Sequence, residues 1–223
     1  YLDDTGENVT CGNIPKEYTE LANKYRQNLI EAVSEVDDDI LAKYLESKEI
    51  SEEELISAIR KGCWKNIFYP TFCGSSFRNK GVQQLLDAVN EYLPSPLDIP
   101  PITGINPLTG ENETRLTSVD EPLSALIFKV ATDPFIGTLA FTRVYSGYIK
   151  SGSYVYNSTN KNSERVSRIV RLHANHREDI DKIGAGDIAG LVGLKRSFTG
   201  DTLSDKDKPI ILEAINFPEP VVS

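Results

Sequence analysis

The sequence predicts a multi-domain α+β chain: an acidic helical front, a strand–loop–helix, and an all-β barrel behind them. Three observations carry this prediction. From Pro15 to about residue 66, apolar side chains recur at spacings of three and four, the period of an amphipathic helix. Residues 69–93 run from a short apolar stretch through small polar residues into a second amphipathic pattern. From Leu123 onward, short apolar runs broken by Gly and Pro show no helical period, which argues for a closed barrel or sandwich.

Residues 1–14 carry turn formers and read as a loop or short edge strands. The first helix shows Tyr18, Leu21, Ala22, Tyr25, Leu29, Ala32, Val33 and Val36 on one face, with Pro15 suited to its first turn. Asp37, Asp38 and Asp39 place carboxylates at the N-terminus of a second helix through Leu45, where the helix dipole favours them. Ser51-Glu52-Glu53-Glu54 is a capping box ahead of Leu55, Ile56 and Ile59, and Gly62 is expected to end that helix. Val82, Leu85, Leu86, Val89, Tyr92 and Leu93 line one face of a further helix, stopped by Pro94 and Pro96. Its apolar face needs a partner to bury it. Residues 94–122 hold six prolines and read as a stiff linker. Strands are expected at 123–130, 137–145, 152–157, 164–172, 187–194 and 210–217, with a bulge at Ile169-Val170.

Length and composition narrow the function classes. The 223 residues are 39% hydrophobic and 26% charged, enough for two small domains with packed cores. No apolar run approaches the ~20 residues of a membrane span, and no secretory signal is present. The three cysteines are scattered without a CxxC pair, so a zinc or redox site is unsupported and reduced thiols are expected. Three Asn-x-Ser/Thr triplets, at Asn8, Asn112 and Asn157, are of a kind frequent by chance.

The charge is unevenly placed. Residues 1–71 hold 15 acidic and 8 basic side chains, whereas residues 140–200 hold 10 basic and 5 acidic. Two surfaces with different partners follow from that asymmetry. Glu17, Glu20, Glu31 and Glu35, with Asp37 to Asp39, form an acidic helix surface that is either solvated or docks a basic partner. Arg143, Lys150, Lys161, Arg165, Arg168, Arg171, Arg177, Lys195 and Arg196 form either a solvated barrel face or a phosphate-binding one. Tyr145, Tyr148, Tyr154 and Tyr156 read as barrel packing.

No phosphate loop of the form GxxxxGK[ST] occurs; Gly190 to Ser197 has the wrong glycine spacing. His173 and His176, with Asp179 and Asp181 nearby, lack a nucleophile partner. No catalytic residue and no metal ligand is therefore assigned. Gly74-Ser75-Ser76 is by default a turn; beside a guanine its backbone N–H groups would donate to O6 and reject adenine's amino group.

Longer stretches resemble translation elongation factor G. These are Phe72 to Gln83, Leu85 to Val89 and Tyr92 to Pro101. Further on come Thr132-Asp133-Pro134-Phe135-Ile136-Gly137, Arg143 to Gly147, Ser151 to Val155, His173-Ala174-Asn175-His176-Arg177, Ala185-Gly186-Asp187, Thr199 to Leu203 and Phe217 to Val222. The resemblance runs through the whole chain and implies an internal piece of a translational GTPase. Residues 1–68 would be a helical insertion subdomain. Residues 69–93 would be the last strand, guanine loop and helix of the α/β GTPase domain. Residues 94–122 would be a linker and 123–220 the β-barrel second domain. Gly74, Ser75 and Ser76 match the final guanine-contacting loop, with Ser76 where alanine is commoner, a change that keeps the backbone donor. The phosphate loop, switch regions and Asn-Lys-x-Asp motif would precede Tyr1, and three further domains would follow Ser223. GTP and Mg²⁺ are then cofactors of the intact factor and not of this chain, which is expected to be inactive alone.

The family's partners are the ribosomal stalk protein, expected on Glu17, Glu20, Glu31 and Glu35, and small-subunit ribosomal RNA, expected on Arg143, Arg165, Arg168, Arg171, Arg177, Lys195 and Arg196. No membrane or DNA partner is implied. A monomer in the bacterial cytoplasm, or in an organelle matrix, is the corresponding expectation. A ribosome recycling or protection paralogue is the alternative within the superfamily. A non-enzymatic RNA- and protein-binding module is the alternative outside it.

Overall fold

Two of the helices at the front of the chain are started by polar side chains. In the computed structural model, which describes residues 1, 3, 5, 6, 8–133, 137–173 and 176–212 (backbone only at Asp133 and His173), the chain divides into two compact units, residues 1–95 and 96–223. In the first unit a 3-10 turn, Lys16–Tyr18, leads into α1 (Thr19–Ser34), followed by α2 (Asp38–Leu45) and α3 (Glu52–Trp64). A second 3-10 turn, Ser76–Arg78, precedes α4 (Val82–Tyr92). Asp37 caps α2: its carboxylate accepts from the N–H groups of Asp39 and Ile40 at 3.1 and 3.2 Å, satisfying amides that have no partner inside the helix. Ser51 caps α3 through the reciprocal bonds with Glu54 that its sequence predicts. Val33, Ile40, Ile50, Leu55 and Ala58 form the core between these helices.

Asp37 also accepts from Lys61 of α3 at 2.7 Å, tying two helices together. That bond, helped by the α2 amides, holds the Asp37 carboxyl below its ordinary range despite burial, and it raises the Lys61 ammonium. A depressed carboxylate contributes stability above its unfolded pKa, near ~3.9, and loses it as pH falls through the lower folded value. We expect Asp37→Ala to cost the helical unit about 1–2 kcal/mol at neutral pH, from the lost cap and pair, and the cost to shrink in acid. Asp37→Asn, which keeps a capping oxygen, should cost less. Urea titrations followed by helical circular dichroism measure both; an alanine variant as stable as the parent at neutral pH would contradict this role.

Three expectations for this unit are corrected. Gly62 does not end α3 but lies buried inside it, where a Cβ would meet the Phe68 ring at 2.1 Å. The chain reverses after Lys65 through Asn66, at φ +57°. Residues 69–73 form no strand, because the described residues of the unit offer no neighbouring strand to complete a ladder. The apolar faces of α1 and α4 are only partly covered. α4 packs on α3, with Ala88 buried and Tyr92 stacked on Phe72 at 6.3 Å, while Leu85, Leu86, Val89 and Leu93 stay 45–60% exposed. Tyr18, Leu21, Tyr25 and Leu29 of α1 and its leading turn are likewise exposed.

The second unit is antiparallel β. Its strands are β1 (Ile102–Ile105), β2 (Asn112–Arg115), β3 (Ser124–Asp133), β4 (Gly137–Ser146), β5 (Tyr148–Lys150), β6 (Tyr154–Asn157), β7 (Asn162–Arg165), β8 (Arg168–His173), β9 (His176–Ile180), β10 (Lys182–Gly184), β11 (Ile188–Val192), β12 (Thr202–Ser204) and β13 (Ile211–Leu212). Eight of them pair in the order β7-β6-β12-β3-β4-β11-β8-β9; β5 pairs with β10, and β1 lies between β13 and β2. Alternation along β4 sends Ala140, Thr142 and Val144 inward and leaves Phe141, Arg143 and Tyr145 half-buried on the other face. The inward apolar residues meet Ile127, Ile149, Val155, Ile169, Ile183, Leu191 and Leu203 in one core, drawn from both the large sheet and the β5–β10 pair. A barrel-like wrap of short strands around one core matches the all-β texture of the sequence.

The strand boundaries differ in instructive places. The expected strand 164–172 is two strands: β7 pairs with β6, and β8 with β9 and β11, so the break falls at Val166-Ser167 and not at Ile169-Val170. Irregularities occur instead in β3, at Ser124/Ala125 and Ile127/Lys129. The expected linker 94–122 contains the β1–β2 hairpin, whose prolines sit outside the ladder, before β1 and in the connecting turn. Strands β5, β9, β10 and β12 are too short or too polar to have been expected. The strand expected at 210–217 is described only as far as Leu212, and the Pro134-Phe135-Ile136, Ala174-Asn175 and Phe217–Val222 stretches of the resemblance lie outside the described residues.

Candidate nucleic-acid interface

The Gly74-Ser75-Ser76 loop closes on itself. Ser75 and Lys80 exchange both backbone bonds, Ser75 N–H to Lys80 C=O at 2.8 Å and Lys80 N–H to Ser75 C=O at 2.9 Å. This pinch requires glycine at 74, where a Cβ would meet the Lys80 carbonyl oxygen at 2.6 Å. Ser75 thus spends its amide inside the turn. Glu17, Glu20, Glu31 and Glu35 are exposed at helical spacings along α1 and its flanks, and Glu31 accepts from the Tyr44 hydroxyl at 2.8 Å. Among the described residues no group of three or more His, Cys, Asp or Glu is arranged to hold a metal, and no helix is long and apolar enough to cross a membrane.

The seven candidate RNA-contacting residues do not form one patch. Arg143 lies over the Tyr145 ring at 5.2 Å, with its Nε buried. Arg168, Arg171 and Arg177 stand on β8 and β9 among carboxylates: Arg168 reaches Asp179 at 3.8 Å, and Arg171 is in register with Glu178. Lys150, from the wider basic set, sits over Tyr148 with Lys182. Arg165, Lys195 and Arg196 are different. They line a recess of about 250 Å³ between β7 and the loop after β11, together with Glu164 and Gly193. All three are exposed, and among the described residues no ion pair engages them.

Two buried acids, unforeseen from the sequence, hold that loop. The Glu164 carboxylate, 9% exposed, accepts from the N–H of Lys195, from the N–H of Arg196 at 2.9 Å and from the Ser197 hydroxyl at 2.6 Å. Asp201 accepts from the Phe198 N–H at 2.9 Å and from Asn157 Nδ2 at 2.8 Å. Asn160 Nδ2 donates to the Arg196 carbonyl at 2.7 Å. The loop's backbone is therefore satisfied from beneath, and its cationic side chains are left to solvent. Glu164 follows Asn162 and Ser163 and precedes Arg165, a polar run in which nothing local marks it as buried.

Residues 122–206 match the family model described as elongation factor G domain 2. Over that range the chain is similar to elongation factor G domain 2. A crystal structure of a protein from Thermus thermophilus superposes with a TM-score of 0.70 at 28% identity, over 95% of this chain. The chain spans 29% of the length of that protein. The range matched to elongation factor G domain 2 runs from just before β3 to just after β12 and contains all of the recess, with both acids beneath it. The acidic stripe and the Gly74-Ser75-Ser76 loop lie outside it.

Proposed function

We propose that this elongation factor-like chain supplies ribosome-contacting surfaces to a translocase, in which GTP hydrolysis, with Mg²⁺, drives movement of tRNA and mRNA. The β unit rests on small-subunit ribosomal RNA, and the acidic face of α1 meets the basic stalk protein. The observation that carries this reading is the recess: three cations, free of ion pairs among the described residues, held on a tethered loop and strand inside the part of the chain that matches elongation factor G domain 2. The same 223 residues contain no phosphate loop, and in this reading they contribute binding surfaces to the intact factor.

The test is co-sedimentation of the chain with isolated small ribosomal subunits across a salt series. Phosphate contacts by three cations should give a log–log slope steeper than about −2, with affinity falling at least tenfold between about 50 and 200 mM salt. Binding that is indifferent to salt, or none at low salt, would refute the RNA-contact reading.

A further inference from the structure

The loop that carries Lys195 and Arg196 also carries Phe198, two residues on, with 70% of its surface exposed. Its backbone N–H is already taken by Asp201, and its ring belongs to no core cluster among the described residues. An exposed planar apolar side chain on the loop that carries two of the recess's three cations matches the two surfaces of a nucleotide, an apolar base face and an anionic phosphate. We propose that this loop binds one unpaired RNA nucleotide, with the base stacked on Phe198 and its phosphate in the recess of Arg165, Lys195 and Arg196. The inference rests on the RNA-contact reading above and adds the recognised element, a single-stranded base.

The local geometry supports the pairing of functions. Gly193, at φ +105°, lets the end of β11 approach β7; a Cβ there would meet Ser167 Oγ at 2.6 Å and the Arg165 carbonyl at 2.9 Å. That approach sets Arg165 beside Lys195 across the recess. Glu164 also lines the recess, with its carboxylate occupied by three donors of the loop, so the recess sets three cations against one acid; Asp201 is taken up by Phe198 and Asn157. A duplex hides its base faces, whereas an unpaired base offers one to an aromatic ring. The three cations favour an anionic ligand, and the amides of Lys195, Arg196 and Phe198 are already bonded within the chain.

The experiment uses the full chain and fluorescence anisotropy with three probes of equal length: oligouridine, an abasic ribose-phosphate strand and duplex RNA. The parent should bind oligouridine about tenfold more tightly than the abasic strand. Phe198→Ala should abolish that difference while leaving abasic binding unchanged, and Phe198→Tyr should retain it. Equal binding of oligouridine by parent and Phe198→Ala, or parent binding of duplex in preference to oligouridine, would overturn the stacking proposal. Lys195→Glu separates the two ideas: it should lower abasic binding and its salt slope. If it leaves both unchanged, the RNA-contact reading itself fails, and stacking with it.

Discussion

Replacing Glu164 with alanine is expected to cost the β unit about 3–4 kcal/mol and to free the loop from Leu194 to Asp201. The carboxylate takes three donors, two of them backbone amides, and bonds to a charged acceptor are the strong class. Removing it leaves those donors without a partner in a buried place, and that desolvation term dominates the loss. Glu164→Gln keeps one accepting oxygen but turns an N–H₂ toward donors, so it should recover only part. Amide exchange measures the effect directly: protection at Lys195 and Arg196 should collapse. The single tryptophan, Trp64, lies in α3, so its fluorescence reports the helical unit and should not move. If Glu164→Ala shifts stability no more than Glu111→Ala, at an exposed position of the same unit, the tether is not what the geometry indicates.

The second large effect is a contrast between two triple charge reversals. Changing Arg165, Lys195 and Arg196 to Glu should weaken small-subunit binding by about 100-fold and flatten the salt slope by about 3, one unit for each lost phosphate contact. Changing Arg168, Arg171 and Arg177 to Glu should do much less. Those arginines already stand among Glu178 and Asp179, so their field is partly cancelled before any phosphate arrives. Equal losses from the two triples would move the contact onto the whole sheet face and away from the recess.

The features that could be read from the sequence are those written in local chemistry. Asp37 and Ser51 announce helix starts because a cap and its amides lie within three residues of each other. The β texture after Leu123 is local in the same sense. The break inside 164–172 was not legible, since Val166 and Ser167 carry no turn signal; it exists because β7 and β8 pair with different neighbours far along the chain. The strand expected at 69–73 failed for the converse reason, because a β-prone run needs a ladder and the described residues supply none beside it. In the candidate site, the basic residues were visible as types, but their division into a trio without ion pairs among the described residues, a compensated trio and a stacked Arg143 depends on tertiary neighbours. Glu164 and Asp201 were missed because only burial distinguishes a tether from a surface acid.

The anchoring of the 194–201 loop by two inward carboxylates has a consequence for association. The conformational entropy of that segment is surrendered once, when the barrel folds, and not a second time when a ligand arrives. A binder therefore meets a surface already in its final shape, and the rate of complex formation is set by electrostatically guided encounter instead of by loop rearrangement. Changes that loosen the loop without touching a cation would then slow association and leave the charge of the face intact.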